Sequence, residues 1–532
     1  MARGLANLRN AVGEERQYVS APEDVADDPQ NFNLDDFAGL VYRGKPIADL
    51  EQVVRQIDSG TAIRASNNTI TYTFLDKSHL VGLYNNPNIG FTAGLGLGVF
   101  SEAQRAEARQ SVQFWDDLAA VKFVEKNGVG ADIVFANSAD PAQAYAYYPG
   151  KQGWKFQSDV FIADPALNWT NDWLGFNGYG ATTLIHEIGH SIGLSHPGAY
   201  NFDPNVPQTY LGLAEYAQDS LQYSIMSYWS AAQTGASIVA WDTFTNGNAQ
   251  TPLLHDILTI QAKYGADLTT RTGDTVYGFN STADRDVFDF SANAFPHLAI
   301  YDAGGNDTID LSGFNAGTFI NLADGSFSSA AQAVPTAVAI NVNRAELSEL
   351  AGFDIGSVTQ AQVDAVSASR IASTANKIAL ETGVAGVRAT AFDNIGIAYG
   401  TVIENAIGGS QRDLLWGNAV ANRLTGNGGD DVLNGFAGAD TLFGGAGADI
   451  FELSTIETGD TIGDFVSGTD KIDLRGTGVD FTFVGANAFS KTAGELRFAD
   501  GVLSGDIDGN GIAEFSARIV GTPVLATDIF II

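Results

Sequence analysis

The pattern of apolar and polar positions in the first half of the chain predicts a mixture of strands and helices. Residues 69–75 (TITYTFL) alternate and are rich in β-branched side chains, and residues 131–135 (ADIVF) form a second such run. Residues 101–118 open on an N-cap serine and carry apolar residues at near-helical spacing, and residues 251–264 show the same spacing. We therefore expect an α+β domain in this half of the chain.

After residue 408 the pattern changes to a period of nine residues. Each unit begins with glycine, has an aspartate or asparagine sixth and has a large apolar residue eighth. The units begin at Gly408, Gly417, Gly426, Gly435 and Gly444, with Asp413, Asn422, Asp431, Asp440 and Asp449 sixth and Leu415, Leu424, Leu433, Leu442 and Phe451 eighth. This period predicts a parallel β-roll whose glycine-rich turns and aspartates bind Ca2+. A flexible linker would not keep this register, and Asn422 should weaken its half-site.

The strongest chemical signal lies in the sequence TLIHEIGHSIGLSH. His186 and His190 are four residues apart, so on a helix their side chains share one face and can reach one ion. Glu187 can hold a water as general base, and Gly193 permits the left-handed turn that returns His196 to the metal. Three protein ligands leave one position open, as in catalytic zinc sites. The stretch therefore predicts zinc-assisted hydrolysis.

The same stretch also fits a rival chemistry. Residues 189–193 read G-x-S-x-G, the nucleophile elbow of serine hydrolases, with Ser191 as nucleophile. An elbow needs a strand before the serine and a helix after it, whereas the following Leu-Ser-His-Pro-Gly predicts a turn. A chelator separates the two hypotheses, because it should abolish the activity of a zinc enzyme and spare that of a serine hydrolase.

Together with a second motif, the histidine pattern resembles a known family. H-E-x-x-H-x-x-G-x-x-H is the metzincin motif, and Pro197 after the third histidine is similar to the serralysin branch. Residues 224–229 (SIMSYW) resemble the serralysin Met-turn without departure. The resemblance implies that Met226 forms an apolar floor under the zinc. It also implies that Tyr228 contacts both the metal and the transition-state oxyanion, beside the catalytic Glu187.

The resemblance also implies a division of the chain. Residues 1–40 would be an acidic leader or propeptide, 41–265 the metzincin catalytic domain, and 266–532 an all-β parallel β-roll domain. Residues 131–135 would be the edge strand along which a peptide substrate binds, with an ordinary core strand as the alternative.

The calcium ligands implied by the resemblance begin before the nine-residue units. RTGDT, DAGGND and ENAIGG match the start of the serralysin C-terminal domain. The implied calcium ligands are Arg271, Gly273, Thr275, Asp302, Gly304, Gly305, Asp307, Glu404, Gly409, Gln411, Asp413, Asn427, Gly429, Asp431, Phe436, Gly438, Asp440, Gly445, Gly447 and Asp449. Residues 506–511 (DIDGNG) begin like an EF-hand loop, but Ala517 stands where that loop needs glutamate, so we expect a hairpin turn.

Two further stretches bear on fold and destination. Residues 330–390 depart from the family, and the helical spacing of residues 358–381 predicts a small helical excursion on the surface of the roll. The chain ends in TDIFII, which resembles the secretion signal of type I export substrates. Its first residues lack the continuous apolar core of a secretory signal peptide. These features favour an extracellular protein exported from a Gram-negative cell by a type I secretion apparatus.

Composition narrows the classes of partner. The 532-residue chain has a formal net charge of −34, which argues against binding to nucleic acid and to anionic membranes. It contains no cysteine, which excludes disulfides and thiolate metal sites. No apolar run is long enough to span a bilayer.

We therefore predict a secreted, monomeric zinc endopeptidase that is stabilised by calcium. Its expected partners are protein or peptide substrates, the type I secretion apparatus and a proteinaceous inhibitor. The alternative is a calcium-dependent surface or adhesion module with a vestigial protease domain. A casein assay with and without chelator distinguishes the two functions.

Overall fold

A computed structural model describes most of the chain, in a helix-and-strand part up to residue 265 (the N-terminal part) and a strand-rich part beyond it (the C-terminal part). The described residues are 33–76, 97–127, 130–139, 141–150, 158–201, 206–522, 524 and 526–530. Among the helices in these ranges, none is long and apolar enough to cross a membrane.

The N-terminal part combines long helices with a five-stranded sheet. Its helices are α1 (Leu50–Ile57), α2 (Glu102–Asp116), α3 (Tyr179–Ser191), α4 (Tyr210–Leu213) and α5 (Leu254–Tyr264), with 3-10 turns at Leu34–Phe37, Trp169–Asp172 and Ala231–Gln233. Its strands are β1 (Val41–Tyr42), β2 (Lys45–Pro46), β3 (Thr69–Phe74), β4 (Lys122–Glu125), β5 (Ile133–Ser138), β6 (Ala144–Ala146), β7 (Val160–Ala163), β8 (Val239–Ala240) and β9 (Thr245–Asn246).

The order of the main sheet corrects one prediction. The strands run β4-β3-β5-β7-β6, parallel except for β6, which pairs antiparallel with β7. The expected edge strand at residues 131–135 became β5, which lies inside the sheet between β3 and β7, so that prediction is wrong. Every residue of β5 is buried, as is typical of a strand covered on both faces. The edge beside α3 is β6, whose residues are half-buried.

Helix α2 forms as its sequence predicts and fixes the position of α3. The Ser101 hydroxyl accepts a hydrogen bond from the Gln104 amide (3.1 Å), and the Gln104 side-chain oxygen accepts one from the Ser101 amide (3.0 Å). The apolar face of α2 packs on α3, where the buried Trp115 indole donates to the Ile185 carbonyl (3.1 Å). Helix α3, which carries His186 and His190, therefore packs against α2, whose N-terminus is capped and whose apolar face is buried.

The C-terminal part is dominated by short strands. They are β10 (Val276–Gly278), β11 (Leu298–Ile300), β12 (Thr308–Asp310), β13 (Phe319–Asn321), β14 (Phe327–Ser328), β15 (Ile395–Ile397), β16 (Asn405–Ile407), β17 (Leu414–Trp416), β18 (Arg423–Thr425), β19 (Val432–Asn434), β20 (Thr441–Phe443), β21 (Ile450–Glu452), β22 (Thr458–Phe465), β23 (Lys471–Asp473), β24 (Thr482–Phe483), β25 (Glu495–Ala499), β26 (Val502–Asp506), β27 (Phe515–Gly521) and β28 (Ile529–Phe530). The helices α6 (Ala337–Ala351) and α7 (Gln360–Thr382) interrupt them, with 3-10 turns at Asp286–Phe288, Arg475–Thr477 and Ala526–Asp528.

The nine-residue units produce two mostly parallel sheets. Successive strands fall alternately in a six-stranded sheet (β13-β17-β19-β21-β23-β28) and a ten-stranded sheet that includes β16-β18-β20-β22. Each strand pairs in parallel with the next but one, so Leu414 lies beside Val432 and Val432 beside Ile450. The eighth-position residues are fully buried, as predicted. The DIDGNG stretch joins β26 to the antiparallel β27, which confirms the predicted hairpin turn.

The helical insert is larger and placed differently than predicted. Helix α7 matches the predicted helical spacing and packs through Ile378 on the parallel sheets, but α6 was not foreseen. The side chains of Asn343 and Arg344 on α6 donate to the backbone carbonyls of Asp242 (3.0 Å) and Thr243 (2.9 Å). The insert therefore bridges the C-terminal and N-terminal parts, and its expected confinement to the surface of the roll is wrong.

The first described residues belong to the folded unit. The Asn33 side chain donates to the Gly325 carbonyl (2.7 Å), Leu34 is buried, and Asp35 pairs with the buried His255 at 3.0 Å. Residues 33–37 are therefore packed into the folded part of the chain, while residues 1–32 lie outside the described residues, so the leader or propeptide stays a prediction.

Candidate active site

Three imidazoles converge at the C-terminal end of α3. The Nε2 atoms of His186 and His190 lie 3.1 Å apart, those of His190 and His196 3.1 Å, and those of His196 and His186 3.3 Å. His190 and His196 are buried and His186 is half-buried. The predicted convergence of the three residues is therefore present in the structure.

Backbone carbonyls fix the orientation of all three rings. The Nδ1 atoms of His186, His190 and His196 lie 2.7–2.8 Å from the carbonyl oxygens of Ile225, Leu194 and Tyr200. A carbonyl only accepts, so each Nδ1 carries the hydrogen and each Nε2 of a neutral ring presents a lone pair. Burial lowers the pKa of His186 to about 4 and that of His196 to about 3, which keeps these rings neutral at neutral pH.

Three facing lone pairs repel one another unless a cation lies between them, and their spacing fits zinc. Two imidazole nitrogens at about 2.0–2.1 Å from a tetrahedral zinc ion lie about 3.3 Å apart. The observed separations of 3.1–3.3 Å agree with that value. The donor set of three neutral imidazoles also matches that of catalytic zinc centres, which leave a further position open.

Glu187 lies beside the triad in an environment that favours a strong base. Its side chain is buried, and its Oε2 atom has no hydrogen-bond partner among the described residues. Burial raises its pKa to about 8, whereas a nearby cation would lower it. A buried carboxylate oxygen without a partner is costly, so this atom is suited to bind a water or a substrate group.

The SIMSYW segment lies against the triad. The ring of Tyr228, which is 40% exposed, lies 4.4 Å from that of His196 and 6.1 Å from that of His186, measured between centroids. Met226 is fully buried beneath α3, where a Cβ atom at Gly189 would lie only 2.6 Å from its sulfur. Met226 therefore lies beneath the helix that carries His186 and His190, and Tyr228 lies beside the imidazole rings, while their roles toward a metal stay predictions.

The end of α3 decides between the two chemistries considered for this stretch. Gly193 has a φ of +100°, and a Cβ atom there would lie 2.1 Å from the Thr61 carbonyl oxygen, so only glycine fits the turn. Ser191 is the last residue of α3, is fully buried and donates to the Ile188 carbonyl at 2.8 Å. A nucleophile elbow would expose this serine between a strand and a helix, so that hypothesis is wrong.

Two buried aspartates support the site and were missed in the sequence. Asp256 on α5 accepts hydrogen bonds from the Ser224 hydroxyl (2.6 Å) and the Ile225 amide (2.7 Å), and the carbonyl of Ile225 orients His186. Asp219 accepts hydrogen bonds from the Tyr200 hydroxyl (2.8 Å) and the Ser227 hydroxyl (2.7 Å). Neither aspartate stands in a recognisable motif, because each acts through contacts distant in sequence.

The substitution Asp256→Asn is expected to weaken zinc binding roughly 10- to 100-fold, because groups that orient a metal ligand have effects of this size. A neutral amide has one acceptor oxygen, so it cannot accept from the Ser224 hydroxyl and also from the Ile225 and Leu253 amides, as the two carboxylate oxygens do. Zinc affinity can be measured by competition with a chromogenic chelator. Asp132→Asn is a matched control, since Asp132 also accepts from a backbone amide (Thr71, 2.8 Å) but lies just before β5 and bonds to β3 of the main sheet. Equal zinc affinity in both variants would contradict the role of Asp256.

The first group of predicted calcium ligands is held together by short hydrogen bonds. Asp307 accepts from the Thr275 amide (2.7 Å), and the Asp307 amide donates to Glu404 (2.7 Å). Asp302 accepts from the Gly304 amide (2.8 Å). The Oδ2 atom of Asp307 is buried without a hydrogen-bond partner among the described residues. Burial, together with the neighbouring Asp302 and Glu404 carboxyls, raises the pKa of Asp307 to about 7.

The remaining ligands of this group stand on both sides of the same turn. A Cβ atom at Gly305 would lie 2.5 Å from the Gly273 carbonyl oxygen and 2.7 Å from the Asp307 Oδ1 atom. Arg271 has a φ of +49°, and its side chain pairs with Asp117 at 2.5 Å, which leaves only its backbone for a cation.

The aspartates of the units form two ladders along the parallel sheets. The Asp413 amide donates to Asp431 Oδ1 (2.8 Å), and the Asp431 amide donates to Asp449 Oδ1 (2.9 Å), each across 18 residues. The Oδ2 atoms of Asp431 and Asp449 are buried without hydrogen-bond partners among the described residues. Burial raises the pKa of Asp431 to about 8 and that of Asp440 to about 7. A cation bound beside these buried carboxylates would supply the positive counter-charge that they lack.

The turns between the strands bring carbonyl oxygens close to the glycines. A Cβ atom at Gly447 would lie 1.7 Å from the Gly429 oxygen, one at Gly445 would lie 2.2 Å from the Asn427 oxygen, and one at Gly429 would lie 2.4 Å from the Gln411 oxygen. Such approaches exclude any side chain and leave the turn backbone open to a cation.

Four other predicted positions lie in equivalent turns. Asn427 and Phe436 have φ values of +73° and +61°, and the Gly438 amide donates to Glu457 at 3.0 Å. The Gly409 amide donates to Asp413 (2.6 Å).

Glu457 and Asp460 were missed in the sequence. Their carboxylates lie within 4.8 Å of each other and of Asp440. They continue the acidic lining one coil further, but the chain between them and Asp440 breaks the nine-residue period, which hid the relationship.

The degenerate unit differs from its neighbours. The Asn422 side-chain amide donates a hydrogen bond to the Glu404 carbonyl (3.1 Å). This side chain therefore has a hydrogen-bond partner within the protein and needs no cation. The weaker half-site expected there stays a prediction.

Comparison with known proteins gives matches over most of the chain. The family model described as Peptidase M10 serralysin C terminal matches residues 266–352 and 363–531. Only residues 353–362 of the region expected to depart from the family are therefore outside the match.

Curated relatives match both parts of the chain. Metalloprotease AprA of Pseudomonas entomophila is 38% identical over 525 residues, which is 93% of each chain. Serralysin of Photorhabdus luminescens is 39% identical over 455 residues, covering 81% of this chain and 79% of the relative. Serralysin G of Dickeya chrysanthemi is 35% identical over 528 residues, covering 92% of each.

Proposed function

The chain belongs to the serralysin family of zinc metalloproteases, and on that premise we propose that it hydrolyses peptide bonds with Glu187 as general base. Two features together support this proposal best. Three imidazole Nε2 atoms lie 3.1–3.3 Å from one another, and the Oε2 atom of Glu187 beside them is buried without a hydrogen-bond partner among the described residues. His186, His190 and His196 would hold the zinc ion.

The protein side of the reaction follows from the chemistry of the residues. When bound, zinc supplies a Lewis acid toward the scissile carbonyl and lowers the pKa of the attacking water. Glu187 takes the proton of that water as it attacks and returns it to the leaving amine. Low solvent exposure of the carboxylate strengthens its basicity, and the hydroxyl of Tyr228 can donate to the oxyanion that develops on the substrate.

A polypeptide substrate can add to the sheet beside this centre. Strand β6 ends the sheet order among the described residues, and α3 lies directly against it. Its outer edge would offer backbone N–H and C=O groups to an extended chain. The substrates of this protein are accordingly proposed to be proteins and peptides bound in an extended conformation.

Calcium is proposed as the structural metal of the C-terminal part, with the two parallel sheets as the walls of a β-roll. Buried aspartate oxygens without partners among the described residues, and glycine turns into which backbone carbonyls approach closely, support this proposal. A further proposal is secretion by the type I route, supported by the acidic residue before the apolar terminus. Within that terminus, β28 pairs with β23, so the same residues also close a sheet.

Chelation tests the proposed reaction. Removal of zinc with 1,10-phenanthroline should abolish casein hydrolysis, and added zinc should restore it. The variant Ser191→Ala should keep at least half of the activity, because its hydroxyl only bonds to a carbonyl of its own helix. Activity that survives chelation, or is lost in Ser191→Ala with the fold intact, would contradict the zinc mechanism. Absence of zinc-dependent activity would instead favour the adhesion module with a vestigial protease domain.

A further inference from the structure

Residues 33–35, which we call the clasp, lie between the N-terminal and C-terminal parts of the chain and form hydrogen bonds with both. The Asn33 side chain donates to the Gly325 carbonyl in the C-terminal part (2.7 Å) and accepts from the Tyr223 hydroxyl in the N-terminal part (3.1 Å). The Leu34 amide donates to the same hydroxyl (2.8 Å). All three contacts are buried and join residues at least 189 positions apart. The clasp therefore takes this position only when both parts are folded around it.

Asp35 joins the same two parts through its carboxylate. The side chain is 4% exposed and accepts hydrogen bonds from His255 Nε2 (3.0 Å), the Gln218 amide (2.9 Å) and the Tyr399 hydroxyl (2.5 Å). The first two donors belong to the N-terminal part and the third to the C-terminal part. Burial alone would raise the pKa of this carboxyl, but His255 and the three hydrogen bonds together lower it. Asp35 is therefore a charged link that depends on donors from both sides.

On the N-terminal side, the clasp contacts lead into the segment that orients His186. Tyr223 stands two positions before Ile225, whose carbonyl oxygen lies 2.8 Å from His186 Nδ1. The Tyr223 carbonyl accepts from the His255 amide (2.9 Å), and the rings of these two residues lie 4.9 Å apart. Asp256, the next residue on α5, accepts from the Ile225 amide (2.7 Å). Both the start of the SIMSYW segment and the helix that holds it are therefore in contact with the clasp.

On the C-terminal side, the clasp lies close in sequence and in space to the first group of proposed calcium ligands. Tyr399 stands two positions before Thr401, whose hydroxyl accepts from the Asp302 amide and donates to the Asp302 carbonyl (3.3 Å each). Glu404, another proposed ligand of this group, follows three positions after Thr401. A cation that orders this group would therefore also order the backbone that presents the Tyr399 hydroxyl to Asp35.

We propose that Asp35 is a positioning residue for the zinc site and that the clasp couples zinc binding to calcium binding. The inference rests on the proposed function, since it takes the histidine triad and the aspartate groups as the two kinds of metal site. Calcium orders the C-terminal donors of the clasp, and the clasp holds the Ile225 carbonyl against His186. Such coupling is reciprocal, so zinc also favours calcium binding. The protein therefore binds zinc best where calcium is plentiful.

Metal titrations of the full-length wild type test the coupling. Zinc affinity, measured by competition with a chromogenic chelator, should be about fivefold or more higher at saturating than at limiting calcium, as in weak allosteric coupling. In the reciprocal titration, followed by circular dichroism, added zinc should lower the calcium concentration for half-folding. Both readouts are independent of proteolytic activity.

Two variants remove one bond of the clasp from opposite sides. Tyr399→Phe removes the donor of the C-terminal part, and Asp35→Asn keeps the size of the acceptor but removes its charge. In each, zinc affinity at saturating calcium should fall about three- to tenfold, less than for groups bonded directly to a metal ligand, and calcium should change it by less than twofold. The double variant should lose no more than either single one. Tyr301→Phe, which removes a buried hydroxyl that donates to the Asp267 carbonyl (2.8 Å) outside the clasp, is the matched control and should behave as the wild type.

Three results would overturn the coupling. A wild-type zinc affinity that does not change with calcium would remove it. A calcium dependence that persists in the folded clasp variants would show that it does not run through Asp35, and an equal loss in Tyr301→Phe would mean a general structural effect. If Asp35→Asn does not fold, Tyr399→Phe alone decides. Wild-type protein that binds no zinc, or that folds equally without calcium, would fail the proposed function itself and is thereby distinguished.

Discussion

Replacing Glu187 by glutamine should lower kcat for peptide hydrolysis by roughly 100- to 10,000-fold, the usual contribution of a general base. Glutamine has almost the same shape but cannot take the proton of the attacking water. The three imidazoles are oriented by the carbonyls of Ile225, Leu194 and Tyr200 and do not depend on Glu187. Zinc content should therefore stay at that of the wild type.

Kinetics with a fluorogenic peptide and metal analysis of the same sample check both halves of this expectation. Glu107→Gln is a matched control, because burial also raises the pKa of Glu107, while its carboxylate accepts from the Gly175 amide (3.2 Å) in the segment before α3. Its activity should be within twofold of the wild type. Near-normal hydrolysis by Glu187→Gln would remove this residue from the reaction.

Removal of calcium should cost the C-terminal part most of its ordered β structure. Without a cation, the buried Oδ2 atoms of Asp307, Asp431 and Asp449 face no hydrogen-bond donor, and an unpaired buried charge costs about 3–5 kcal/mol. Three such groups together cost about 9–15 kcal/mol, which is comparable to the usual stability of a domain, about 5–15 kcal/mol. Circular dichroism during an EGTA titration should show the loss, and added calcium should reverse it.

Two variants test whether the buried aspartates of the repeat units cause this loss of β structure. Asp431→Asn keeps an oxygen to accept from the Asp413 amide but removes the charge, so the calcium concentration for half-folding should rise about tenfold or more. Asp500→Asn, in an exposed hairpin turn, should leave it unchanged. The same β content with and without calcium would contradict a structural role for the ion.

Local patterns predicted the parts of the molecule that depend on short-range spacing. Four-residue spacing put His186 and His190 on one face, and glycine at position 193 allowed the turn to His196. The period of nine placed strands in parallel register 18 residues apart. In each case the constraint is backbone geometry within one or two turns of chain.

Features that depend on distant neighbours could not be predicted in this way. The apolar run of β5 indicates a buried strand, but the sequence of that run does not say which strands flank it. Chain topology decides this, and it places β6 rather than β5 at the edge of the sheet. Asp256 accepts a hydrogen bond from Ile225 in the SIMSYW segment, 31 residues before it, and no motif marks that contact. The docking of α6 on residues 242–243 likewise depends on side chains about 100 positions apart.

X-ray absorption at the zinc edge, measured on the zinc-loaded Glu187→Gln protein, tests the central claim most directly. One zinc ion per chain with three imidazole nitrogens at about 2.0–2.1 Å is the expected result. A chain that retains no zinc, or a first shell with fewer than three imidazoles, would contradict the convergence of His186, His190 and His196 on one metal.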